Sequence, residues 1–385
     1  MTFSDQLLNR ATAGLVAVII GFSSSIALIY QVVITLGGTP DLVASWLLML
    51  GLVMGITTIG LSYYYKVPVL IAWSTTGAAL LISSAQGYHL GEAIGAFMFA
   101  ATLVFVSGVT GWFEKIMNRI PSELACAMLA GVLVNFGIDV FNFMNELPLV
   151  IGLMVLMYFL GKRFFARFAM LSVLVAGVLL AWQMGHIDTG AIHWKISEFA
   201  YIAPVFNLQA CISIGLPLYI VTMTSQNLPG IAVLKAHNYK APISATLNVT
   251  GFINILTAPF GTYSINFAAI TAAICMSDEA DKSPDKRYWA SIAAGVFYIV
   301  MALCAATLVG LVASLPQALI LALAGIALFG TIANSLQQAL SSAQYTEAAI
   351  VTFLVTASDL TMLSVGSAFW GIIAGVCTLM ITRKS

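Results

Sequence analysis

Apolar residues run in long blocks along this chain, near 11–36, 42–63, 67–85, 91–113, 122–138, 147–161, 168–185, 207–226, 242–258, 261–276, 289–313, 317–338, 347–359 and 363–382. Short polar connections separate them. A helix needs about 20 apolar residues to cross the hydrocarbon core of a bilayer, so the pattern predicts an all-α membrane protein with fourteen transmembrane segments. The first block follows Arg10 and is too long for the apolar core of a signal peptide, so it reads as the first span. Several other blocks are short and are broken by Gly or Pro.

Basic residues sort the connections. With both termini in the cytoplasm, Arg10, Lys66, Lys115, Arg119, Lys162, Arg163, Arg167, Lys235, Lys240, Lys282, Lys286, Arg287, Arg383 and Lys384 fall inside, and Lys195 alone falls outside. The outer connections carry Asp41, Glu92, Asp139, Glu146, Asp188, Glu198 and Asp359 instead. A miscount of one span in the middle would throw half the basic residues outside, so the bias supports an even count and an inner-membrane location. Trp46, Tyr63, Tyr64, Tyr65, Trp112, Trp182, Tyr288 and Trp289 collect near block ends, where amphipathic rings suit the headgroup layer.

Composition agrees. Of 385 residues, 61% are hydrophobic and 8% are charged, against about 25% charged in a soluble chain. Formal net charge is zero, which gives no reason to expect a nucleic-acid partner. Cys126, Cys211, Cys275, Cys304 and Cys377 lie scattered in apolar runs without metal-ligand spacing and read as small buried hydrophobes. No cofactor or metal is expected. The longest polar connections, 186–206 and 277–288, are too short to form domains. No Walker A loop is present, which argues against ATP-driven pumping by this chain alone. Intramembrane-protease signatures and a TVGYG-type filter are also missing, which counts against an enzyme and a channel.

The two halves resemble each other. Leu129-Ala130-Gly131-Val132-Leu133 in span 5 is matched by Leu323-Ala324-Gly325-Ile326-Ala327 in span 12, and Leu174-Val175-Ala176-Gly177-Val178 in span 7 by Ile372-Ile373-Ala374-Gly375-Val376 in span 14. Both offsets are close to half the chain and pair span n with span n+7. Seven is odd, so the second half lies upside down relative to the first, as in many secondary transporters. The repeats are residues 1–186 and 207–385.

Spans 3 and 10, partners in this scheme, both look discontinuous: a short strand and then a half-helix. Span 3 starts at Pro68 and passes through Trp73, Ser74, Thr75 and Thr76 to an Ala/Leu run. Span 10 starts at Pro259 and passes through Thr262, Tyr263, Ser264, Ile265 and Asn266 to an Ala/Ile run. Broken backbone at membrane depth is tolerated only in a protein-buried or water-lined site. Two half-helices with Ser, Thr or Asn caps would aim their N-termini at one central point and favour an anion there. The plainer alternative is two ordinary helices with Ser and Thr bonded to the preceding turn.

At these residues the sequence resembles the benzoate:proton symporter family. The likeness rests on Pro-Val-Leu-x-Ala-Trp-Ser-Thr (68–75), on Leu-Pro-Leu-Tyr-Ile-Val-Thr-Met-Thr-Ser-Gln-Asn-Leu-Pro-Gly-Ile (216–231), and on Phe-Gly-Thr-Tyr-Ser-Ile-Asn (260–266) with Ala-Ala-Ile-Thr-Ala-Ala-Ile-Cys (268–275). Phe353 to Ser358 and Gly366 to Gly371 add to it. The resemblance implies proton-coupled uptake of benzoate or a similar aromatic acid. It also implies the seven-plus-seven fold shared with nucleobase transporters, with a core domain (spans 1–4 and 8–11) moving against a gate domain (spans 5–7 and 12–14), and a possible homodimer. Where nucleobase carriers hold acidic residues, this chain resembles them with Gln226 in span 8 and Ile265 in span 10. A site without carboxylates suits a carboxylate substrate, which it would otherwise repel.

The candidate substrate contacts are therefore Trp73, Ser74, Thr75 and Thr76, Gln226 and Asn227, and Thr262, Tyr263, Ser264 and Asn266, with Trp73 or Tyr263 stacking on the ring. Gln226 and Asn227 have a plainer reading as a helix-end cap before Pro229-Gly230, and Trp73 has one as packing. His89, His186, His193 and His237 fall in or near loops, and Glu123 and Asp359 near span ends. No mid-span acid offers itself as proton carrier. Either the substrate carries the proton, or a span-end acid such as Glu123 does. An exchanger of another small organic anion, or a nucleobase carrier, on the same fold is the alternative.

Overall fold

Polar punctuation sets the helix ends in this computed structural model, which describes residues 3–111, 121–164, 169–186, 197–268, 270–277, 280–358, 360, 362 and 367–382. Trp112, Lys115, Arg119, Arg167, Asp188, His193, Lys195, Asp359, Arg383 and Lys384 lie outside the described residues. Helix α1 spans Phe3–Thr35 and α2 spans Pro40–Tyr65. Thr39 caps α2 by accepting from the Leu42 N–H, and Pro40 fills the first position, where a missing N–H costs nothing. Strand β1 (Ile71–Trp73) leads into α3 (Thr75–Ser84). Then come α4 (Leu90–Thr110), α5 (Ser122–Asn142), α6 (Pro148–Phe164) and α7 (Ala169–Gln183). Helix α8 runs from Leu208 to Ala236 and contains two π turns, Cys211–Gly215 and Met223–Asn227. Helix α9 (Ile243–Thr257) precedes strand β2 (Ile265–Phe267) and α10 (Ile270–Cys275). The chain continues through α11 (Tyr288–Leu303), α12 (Ala305–Ala313), α13 (Gln317–Ala339), α14 (Thr346–Ala357) and α15 (Ser367–Thr382). A 65° bend separates α11 from α12.

Among the described residues, seven helices are long and apolar enough to cross a membrane, or eight if the bent pair is one span. Helices α3, α7, α14 and α15 are apolar but shorter.

Helix α2 lies along α11, α4 along α9, and α5 along α13. Numbered as apolar runs, the first two contacts are run 2 with run 11 and run 4 with run 9. Exchanging each run for the one seven places away turns one contact into the other. Small residues let these backbones approach: a Cβ on Gly55 of α2 would lie 2.6 Å from the Gly295 carbonyl oxygen of α11.

The two strands pair antiparallel, with Ile71 opposite Phe267, Ala72 opposite Asn266 and Trp73 opposite Ile265. The Ser74 N–H donates to the Ser264 carbonyl (3.1 Å) and the Ala268 N–H to the Leu70 carbonyl (2.9 Å), which extends the ladder at both ends. An open sheet edge inside a membrane costs several kcal/mol per unpaired group, and flanking helices cover both edges. On the β1 side, Thr58 of α2 accepts from the Ile71 N–H (3.0 Å) and the Ser62 hydroxyl donates to the Val69 carbonyl (2.7 Å). On the β2 side, the Asn254 amide of α9 donates to the Ile265 carbonyl (3.4 Å), and Asn227 of α8 accepts from the Phe267 N–H (3.1 Å).

Two sequence expectations change here. Trp46 is fully buried, edge-on to Phe97 at 5.9 Å, so it belongs to the core rather than the headgroup layer. Its neighbours in that expectation, Tyr63, Tyr64, Tyr65, Trp182 and Trp289, are exposed. Cys126, Cys211 and Cys275 are buried, but Cys304 and Cys377 are exposed.

The buried charged residues among those described are Arg10, Asp281 and Arg287, and they form one cluster. Arg10 Nε donates to Asp281 Oδ2 (2.6 Å), while Arg287 donates to the Asp281 and Met276 carbonyls. Burial pushes the Asp281 carboxyl up, but the Ser283 N–H and the Arg10 guanidinium outweigh it and hold the pKa below the usual value. A depressed carboxylate pKa stabilises the fold above the unfolded-state pKa, and that contribution disappears as pH falls through the folded-state value. Asp281→Asn is expected to cost about 3 kcal/mol at neutral pH, because Arg10 stays buried without its counter-charge. In thermal melts of purified protein, the gap between wild type and variant should close as pH falls toward 3. A constant gap would show that the pair does not carry the acid dependence.

Candidate functional site

The start of α3 is built to leave two donors free. A helix N-terminus has a set of N–H groups without intrahelical partners. The Ser74 N–H is used by the ladder, and the Gly77 N–H donates to the Ser74 hydroxyl (2.9 Å). Among the described residues, nothing accepts from the N–H groups of Thr75 and Thr76. They sit side by side at the positive end of the α3 dipole.

Neutral polar side chains surround this point. The Thr75 hydroxyl is 2.9 Å from that of Ser25 on α1. The Gln226 amide, within the second π turn of α8, donates to the Thr76 hydroxyl (3.0 Å). One turn earlier, Thr222 meets the Ser264 hydroxyl at 3.0 Å, and Asn266 lies 3.5 Å from the same hydroxyl. π turns recur at functional sites because the extra residue re-aims side chains, and here one brings Gln226 to α3. Trp73 is buried edge-on against Phe22 of α1, with ring centroids 4.7 Å apart.

The structure thus brings Trp73, Ser74, Thr75, Thr76, Gln226, Ser264 and Asn266 together. Other candidates serve as supports. Tyr263 is buried beside Phe97 and donates its hydroxyl to the Ser74 carbonyl (3.0 Å), which braces the α3 cap rather than offering a free ring face. Asn227 spends its oxygen on the Phe267 N–H, and its amide nitrogen lies 3.3 Å from the Met223 sulfur. Thr262 is buried with its hydroxyl unpaired. None of the ten candidates lines the cavity of about 820 Å³ that runs from Gln31 and Gln86 to Val132 and Leu321.

The two half-helix starts do not meet at one point. Antiparallel pairing sets α3 beside Ser264 and α10 beyond Leu70, so they face each other across the ladder. Four residues of strand at ~3.3 Å each put Ser74 and Ala268, at the two ends of the ladder, about 13 Å apart, and α10 begins beyond Ala268, at Ile270.

Ser25 and Phe22 were missed by sequence reasoning. Their signal was the polar triplet Ser23-Ser24-Ser25 inside the first apolar run.

Residues 4–381 match the benzoate membrane transport protein family. The chain belongs to that family. It is 44% identical over 370 residues to the inner membrane protein YdcO of Escherichia coli (strain K12), covering 96% of this chain and 95% of that one. It is 35% identical over 380 residues to the benzoate membrane transport protein of Acinetobacter baylyi, covering 99% and 96%. Among solved structures, the transmembrane domain of a cyanobacterial bicarbonate transporter, BicA, matches with TM-score 0.63 at 15% identity over 98% of both chains. SLC26A9 matches with TM-score 0.59 at 14% identity, covering 96% of this chain and 64% of that one. At such identities the likeness shows a shared fold. The benzoate transport family and its members are membrane transporters rather than enzymes.

The supporting and contacting roles separate by experiment. Asn227→Leu orphans the Phe267 N–H inside the membrane, so it should lower the thermal midpoint whether or not substrate is present. Gln226→Ala should leave the midpoint unchanged and weaken substrate binding about tenfold, the worth of one hydrogen bond. A Gln226→Ala protein that melts early and binds normally would reverse the assignment.

Proposed function

We propose that this chain carries out proton-coupled uptake of benzoate, or a similar small aromatic carboxylate, across the inner membrane. One observation carries the reading: the free, adjacent N–H groups of Thr75 and Thr76, ringed by hydroxyls and the Gln226 amide. Two parallel donors match the two oxygens of a carboxylate, and the helix dipole adds to the attraction. The ring of the substrate then turns toward Trp73 and Phe22. The relative named for benzoate supports the aromatic acid, and the BicA and SLC26A9 matches support the fold.

In this reading the fourteen apolar runs are fourteen crossings with both termini in the cytoplasm, and residues 1–186 and 207–385 are the inverted repeats. Spans 1–4 and 8–11 form the moving core, and spans 5–7 and 12–14 form the gate. The exchangeable contacts of α2 with α11 and of α4 with α9 support this arrangement.

The proton rides on the substrate. The bound carboxylate titrates in place, and the unpaired Asn266 Oδ1 provides an acceptor for its hydroxyl. With the proton on the substrate, Glu123, in the first turn of α5, has no part in the coupling. Glu123→Gln should therefore leave the pH dependence of uptake unchanged. If it abolished that dependence with binding intact, Glu123 would be the carrier.

The donors read a carboxylate head and not a ring, so exchange of another small anion on the same fold is the second reading. Competition against labelled benzoate decides between them. Unlabelled hydroxybenzoates should compete, and bicarbonate and uracil should not. Competition by bicarbonate alone would move the assignment to the second reading.

A further inference from the structure

A cavity of about 820 Å³ lies between elements of the core and gate sets. The core side is Gln31 of α1, residues 82–84, 86–89 and 92 from α3 into α4, Asn207 just before α8, and Gln209 and Ser213 of α8. The gate side is Val132, Asn135, Phe136 and Asp139 of α5, with Leu321 of α13 and Ser367 of α15. Exposure falls along it. Gln86, Gly87, His89, Asp139 and Gln209 are exposed, whereas Ile82, Val132 and Ser213 are buried. The cavity therefore has a polar mouth and closes down toward the buried Ile82, Val132 and Ser213, with the half-buried Leu321 of α13 as a third apolar side chain beside Ile82 and Val132 in its lining.

The floor points at the carboxylate site. Ile82 stands two turns from Thr75 on the same stripe of α3, with buried Ala78 and Ala79 between. Seven residues at 1.5 Å rise put the floor about 10 Å from the free N–H groups. The mouth carries Glu92 and Asp139, on the acidic side of the charge distribution, which the basic-residue bias assigns to the outside.

We infer that Ile82, Val132 and Leu321 form an apolar outer gate, which separates an outward-open vestibule from the binding site at the start of α3. An apolar constriction excludes water and charged solutes when narrow and admits them when its sides part. Its members sit on both the core and gate sets, so relative motion of the two opens it. The inference rests on the transporter reading, but its test needs no substrate.

Single cysteines are introduced into the full chain with its five native cysteines replaced, and outward-facing membrane vesicles are treated with a charged, membrane-impermeant methanethiosulfonate. Gln86→Cys at the mouth should react quickly, and Thr75→Cys below the floor roughly tenfold more slowly or worse, as expected behind an apolar seal. Adding Leu321→Ala, or separately Val132→Ala, should bring the Thr75→Cys rate up toward that of Gln86→Cys. The Gln86→Cys rate in the same backgrounds should not move. Equal rates at the two positions in the parent chain would overturn the gate. So would a Thr75→Cys rate that ignores both openings. Failure of benzoate uptake with these labelling patterns intact would strike the substrate assignment and leave the gate standing.

Discussion

Gln226→Glu is expected to abolish benzoate uptake while leaving the protein folded. The substitution keeps the shape of the side chain, and a carboxylate can accept from the Thr76 hydroxyl that Gln226 now contacts at 3.0 Å. It also puts a negative charge beside the two N–H groups that hold the substrate. Two like charges about 4 Å apart repel by about 4 kcal/mol at an effective dielectric of 20, which is about three orders of magnitude in affinity. Gln226→Ala, which removes one donor and adds no charge, should cost far less. Calorimetric titration of both variants, with melting curves as the fold control, checks the ranking. A Gln226→Glu protein that binds benzoate as well as wild type would remove Gln226 from the site.

The second large effect concerns folding. Gly261 has φ of +96°, a conformation that side-chain-bearing residues rarely adopt. A Cβ there would also overlap the indole of Trp46, which is itself fully buried against Phe97. Backbone strain and overpacking each cost ~1–3 kcal/mol, and Trp46 has no free space to retreat into. Gly261→Ala should therefore sharply reduce the yield of monodisperse protein on size exclusion. Gly261→Ala with Trp46→Ala should recover only part of it, because the backbone strain remains. Full recovery would mean that the clash alone matters.

The short strands β1 and β2 ahead of α3 and α10 left a trace in the sequence, because Pro68 with Ser74, and Pro259 with Gly261, interrupt apolar runs there. Gln226 drew notice as an amide in an apolar run, and the structure sets it 3.0 Å from the Thr76 hydroxyl. Other features depend on partners that local pattern cannot supply. Asn227 works through the Phe267 N–H, forty positions away, and looked like a ligand contact only because it follows Gln226. Trp46 sits near the end of an apolar run, as a headgroup-layer ring would. Only the packing of the 261 turn against it shows that it is core. The antiparallel register of β1 and β2 decides that the two half-helices face each other across a ladder, and neither strand announces its partner. Ser25 and Phe22 contribute from a helix that reads as plain span, apart from the serine triplet.

The most direct test of the carboxylate site is uptake of labelled benzoate into proteoliposomes, with and without an inward proton gradient, after subtraction of protein-free liposomes through which benzoic acid leaks. The account predicts saturable uptake, stimulated by the gradient, that Gln226→Ala weakens and Gln226→Glu eliminates. Gradient-driven uptake that is indifferent to both substitutions would contradict a site at the start of α3, and no uptake above the leak would contradict benzoate as the substrate.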